Sequence, residues 1–127
     1  MFLDSDIKNL ALHLSLDVVA EVREAYLAFA TSELREDLRV TTGGHGYIEN
    51  ELRYYKGNEW YFSAVLNKNW VLWYWRWPAI RDHVITKAEI LDRFIDSKET
   101  KAKDIQMRVT MLSDARRVAK CLLQLQP

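Results

Sequence analysis

The sequence predicts a single-domain α+β fold: a three-stranded antiparallel meander plus a fourth strand, packed by four helices in the order α-α-β-β-β-α-β-α. Three observations predict it. Apolar residues recur at helical spacing in the first and last thirds. They alternate in the middle third, where two short turn signals separate apolar runs. No repeat, low-complexity tract or Pro-rich linker divides the chain, so residues 1–127 are read as one domain.

A first short helix is expected over about Asp6 to His13, with Ile7, Leu10, Ala11 and Leu14 on one stripe. Ser15 is the expected N-cap of a second helix carrying Val18, Val19, Val22, Ala25, Tyr26, Phe29 and Ala30. Thr41-Thr42-Gly43-Gly44-His45-Gly46 is read as a mobile connector into the sheet. The expected strands are Tyr47–Lys56, Glu59–Asn67 and Trp70–Trp77. Gly57-Asn58 is a two-residue hairpin signal, and Lys68-Asn69 serves as the second tight turn. Thr86-x-x-Glu89 is a capping box, with Ile85 and Ile90 spaced as its hydrophobic staple. Asp96–Lys103 reads as a charged loop. Ile105, Met107, Val109 and Met111 alternate with polar residues as a strand with one wet face. Ser113-Asp114 is expected to cap a last helix striped with Ala115, Val118, Leu122 and Leu125.

Composition narrows the function classes. Lys and Arg total 18 and Asp and Glu total 18, so the net charge is zero. That argues against binding a polyanion by bulk charge, and nucleic acid is not the expected partner. The balance is uneven, with an acidic first third and a basic last third. A single cysteine, Cys121, closes no internal disulfide and is read as a buried thiol in a reducing compartment. Asp4 and Asp6, with no basic lead-in, do not resemble a secretory signal. No apolar run approaches the ~20 residues that a membrane-spanning helix needs. The expected location is the cytoplasm.

The informative feature is aromatic. All five Trp lie between Tyr47 and Trp77, with most of the Tyr. If the two turns hold, Tyr55 opposes Trp60 and Leu66 opposes Val71. Strict alternation then places Trp60, Phe62, Ala64, Leu66, Val71, Trp73, Trp75 and Trp77 on one face, with Glu49, Glu51, Arg53 and Tyr55 beside them. The opposite face takes Ile48, Asn50, Leu52, Tyr54, Tyr61, Ser63, Val65, Trp70, Leu72, Tyr74 and Arg76. Neither face is polar enough to be left to water, so one of them asks for a partner or a ligand.

The expected function is therefore a non-enzymatic binding or interaction module. It self-associates as a homodimer, or it binds a small aromatic or cationic ligand. The candidate ligand-binding residues are Trp60, Trp73, Trp75, Trp77, Glu51 and Arg53. The enzymatic alternative is a small hydrolase using His45 with Glu49 and Glu51 for acid–base chemistry. His13 and His83 have no suitably spaced His or Cys, so no metal site or cofactor is expected.

Overall fold

The structure is a computed structural model and describes residues 4–45 and 48–125; the side chains of residues 4, 5, 44, 45, 48 and 49 lie outside the described set. The chain runs α1 (Asp4–Leu14), α2 (Ala20–Thr31), β1 (Arg39–His45), β2 (Ile48–Lys56), β3 (Glu59–Leu66) and β4 (Val71–Trp75). It continues with α3 (Trp77–Arg81), α4 (Lys87–Arg93), β5 (Lys98–Glu99), β6 (Ile105–Val109) and α5 (Leu112–Leu123). The strands form one antiparallel sheet in the order β1-β2-β3-β4-β6-β5.

The α+β class, the meander and the later strand stand as expected, but among the described residues the sheet has six strands where four were expected, and there are five helices where four were expected, α3 being the addition. Both added strands lie at the edges. β1 absorbs Thr41 to His45, expected as a loop, because its backbone pairs with β2. Gly43 leaves a space there that the Arg53 side chain occupies. A Cβ at that position would lie 2.3 Å from Nε of Arg53, whose side chain crosses β1 at this point. β5 is a two-residue piece of the expected charged loop and pairs with β6.

Local signals succeed where chemistry fixes the backbone. Gly57 has φ +61°, and Lys56 opposes Glu59 across the turn. The Thr86 hydroxyl accepts from the Glu89 N–H at 3.1 Å and donates to the Glu89 carboxylate at 2.9 Å. Two expected caps are replaced. Ser15 bonds back to the Leu12 carbonyl at the end of α1, and α2 starts instead after Val19. α5 starts after Met111, ahead of Ser113. Trp77-Pro78 does more than stop a strand. It opens α3, where the missing proline N–H has no partner to lose.

The helices gather on one face of the sheet. α2 and α5 pack on each other, and Phe29 of α2 stacks on Trp73 with centroids 4.9 Å apart. Tyr54 donates to the Phe29 carbonyl at 2.6 Å. Trp75 meets Phe94, just beyond α4, at 5.5 Å. α1 is tied down by polar contacts. Asp6 accepts from the Thr42 N–H and hydroxyl, and buried His13 bonds the Tyr26 hydroxyl at 2.8 Å. Burial, followed by the charge of Glu51, pushes the Tyr26 hydroxyl well above its ordinary pKa.

One irregularity decides which side chains face the helices. Tyr55 opposes Trp60 and Leu66 opposes Val71, as expected. Tyr54, however, opposes Phe62, so Tyr61 is an extra residue in β3. This β-bulge inverts side-chain parity between Trp60 and Phe62. Leu52 and Tyr54 therefore share the core face with Phe62, Ala64, Trp73 and Trp75. Glu51, Arg53, Tyr55 and Trp60 share the other face with Ser63, Val65, Leu72, Tyr74 and Arg76. The face assignment from strict alternation is corrected accordingly.

Candidate functional site

No described helix packs over the second face of the sheet, which forms the candidate site. Its side chains sit in register across the strands. One row runs Gly43, Glu51, Val65, Leu72 and Arg108. The next runs Thr41, Arg53, Ser63, Tyr74, Gln106 and Lys98. A third, at one end, holds Arg39, Tyr55 and Trp60.

Trp60 is the centre of that end. Its indole N–H donates to the Ser63 hydroxyl at 2.8 Å and the Phe62 carbonyl at 3.0 Å, which fixes the ring. The Arg53 guanidinium lies 4.2 Å from the ring centroid and the Arg76 guanidinium 3.8 Å. Arg53 donates Nε to the Glu51 carboxylate at 3.1 Å. Arg76 donates to the Trp60 carbonyl at 2.6 Å. Arg39 lies 4.5 Å above Tyr55 and Arg108 4.0 Å above Trp70. The face is thus a layer of guanidinium groups on aromatic rings, each pair an electrostatic contact with the ring's negative face.

Burial makes these charges sensitive to their surroundings. Glu51 is 4% exposed, an expensive place for a carboxylate without the Arg53 partner. Burial works against the Arg53 charge, but the bond to Glu51 prevails and raises its pKa. Arg76 has no ion pair among the described residues, and burial holds its guanidinium below the ordinary value, despite the pull of Asp104 and Glu51. Burial, then the same two carboxylates, pushes the Tyr74 hydroxyl up.

Away from Trp60 the face deepens into a concavity of about 520 Å³ that runs round the β6 edge. Trp70, Leu72, Lys98 and Arg108 line it, together with Asp96 and Asp114. Its volume lies in the range of small-molecule sites, roughly 300–1,000 Å³.

The expected ligand residues divide. Glu51, Arg53 and Trp60 converge on the open face. Trp73 and Trp75 are fully buried on the opposite side, so they support the core. Their indole N–H groups have no hydrogen-bond partner among the described residues. Trp77 leaves the sheet to begin α3; it is 36% exposed, with the Lys103 ammonium 4.9 Å from its ring. Tyr55 lies beside Trp60 as expected, whereas Arg76 and Tyr74, expected on the opposite face, join the site. Alternation already set Arg76 and Tyr74 on one face; the bulge concealed that Arg53 and Trp60 share it.

The acid–base set is only partly described. His45 opposes Ile48 at the end of the β1–β2 ladder, and the His45 and Glu49 side chains lie outside the described residues. Glu51 is committed to Arg53. Among the described residues, no group of three His, Cys, Asp or Glu side chains is placed to hold a metal ion. No described helix is long and apolar enough to cross a membrane. No family model matches the chain, and no curated protein or solved structure is significantly similar to it.

Proposed function

We propose that this protein is a non-enzymatic binding module whose working surface is the open face of its sheet. One observation carries the reading: the helices described here cover one face and leave the other bearing Arg, Trp and Tyr in fixed positions. These three residue types are the ones enriched where binding energy concentrates in interfaces. Fixed side chains also lose little conformational freedom on binding. A single buried thiol supports action in a reducing compartment, the cytoplasm.

Two modes of use follow: pairing with a second copy, or binding another partner or ligand. The hydrolase alternative on His45, Glu49 and Glu51 has less support, because the Glu51 carboxylate is already engaged by Arg53. The discriminating experiment is a concentration series followed by light scattering and by backbone and indole NMR signals. Self-association gives a mass near twice 15.0 kDa, with shifts at Trp60, Leu72 and Tyr74. A screen of aromatic, cationic and anionic compounds should move the same signals. Responses confined to α2 and α5 would sink the reading.

A further inference from the structure

Resting on the open-face reading, we infer that the Arg53–Trp60–Arg76 stack is an anchor for carboxylates and that the partner of this face is an acidic polypeptide segment. The argument begins with charge. Arg39, Arg53 and Arg76 surround Tyr55 and Trp60, and among the described residues Glu51 is the single carboxylate bonded to them. Arg76 spends one bond on the Trp60 carbonyl and has no ion pair among the described residues, so donors of its planar fork remain for an incoming oxyanion. The concavity across the same face adds no net charge, because Asp96 and Asp114 line it together with Lys98 and Arg108, so the anchor is confined to the Trp60 end.

Geometry makes the anchor stiff. Trp60 is held by two bonds from its indole N–H, and Arg53 is held by Glu51 in the space that Gly43 leaves open. Guanidinium forks set in place suit the bidentate recognition of carboxylates. Other occupants fit less well. Bases of single-stranded nucleic acid stack on bare rings, whereas Trp60, Tyr55 and Trp70 already carry guanidinium groups. A second copy docked face to face would set arginines against arginines.

The test uses the whole chain, labelled with ¹⁵N, and three probes: hexaglutamate, hexalysine and hexauridylate. Hexaglutamate should shift the Trp60 indole signal and the Arg53 and Arg76 Nε–H signals saturably at low salt. Hexalysine should leave them still. Arg76→Gln should weaken hexaglutamate by roughly tenfold, and Arg76→Lys should restore only part, because a point charge lacks the fork. An unmoved Trp73 indole signal certifies that each variant folds. The inference falls if hexaglutamate gives no saturable shift at millimolar concentration, if Arg76→Gln binds as well as wild type, or if hexauridylate binds more tightly. Its failure is separable from that of the open-face reading, which still stands if an aromatic or cationic compound, hexauridylate, or raised protein concentration shifts the Leu72 and Tyr74 signals.

Discussion

At the scale of single residues, Gly43 and Arg53 form a coupled pair. Gly43 lies in a strand, where glycine weakens backbone order, yet its missing Cβ is what lets Arg53 reach Glu51. Gly43→Ala should push Arg53 aside and leave the buried Glu51 carboxylate short of a donor, at a cost of about 1–3 kcal/mol. In an Arg53→Ala background the same substitution should cost almost nothing further. Chemical denaturation of the four proteins in this cycle measures the coupling, and additive effects would contradict it. Neither half of this pair is legible in sequence. Gly43 sits in a cluster that reads as a loop, and Arg53 reads as paired with Glu51 without any hint of what makes room for it.

Among the elements, local signals specify structure best where a side chain closes on its own backbone. The Thr86 cap is such a case, and Thr86→Ala should destabilise the protein by about 1 kcal/mol in thermal or urea unfolding. A second junction has no sequence signature. Asp82, just past α3, accepts from Arg81 at 2.8 Å and from the Tyr61 hydroxyl at 2.8 Å, tying α3 to the bulge in β3. The Arg81 bond first, then that of Tyr61, lowers the Asp82 pKa to about 2. Unfolded Asp titrates at about 3.9, so the folded state binds fewer protons between these values. This contribution is complete above about pH 4 and fades as pH falls toward about 2. Burial and the Asp82 bond raise Tyr61 to about 12, so its contribution holds below about pH 10 and is lost as pH rises through 12. Asp82→Asn should flatten the acid limb of a melting-temperature profile; an unchanged limb would assign that limb to other carboxylates.

For the whole molecule, the governing fact is a sheet with one dry face and one bearing stacked charges. That asymmetry predicts the outcome of substitutions one residue apart. Trp73→Ala opens the core and should cost about 3–5 kcal/mol. Trp73→Phe keeps most of the packing and removes a buried N–H that lacks a partner, so it should cost far less. Tyr74→Ala, on the open side, should cost about 1 kcal/mol or less. Equal costs for Trp73→Ala and Tyr74→Ala would mean that the second face is covered too. By itself the sequence determined the α+β class, the meander, the hairpin at Gly57 and the cap at Thr86, because periodicity and short-range bonding act within a few residues. Only the tertiary structure decided which aromatics meet the helices and which carry arginines. A single extra residue, Tyr61, inverts the faces, and alternation carries no record of it; the bulge exists through pairing with β2 and packing across the sheet.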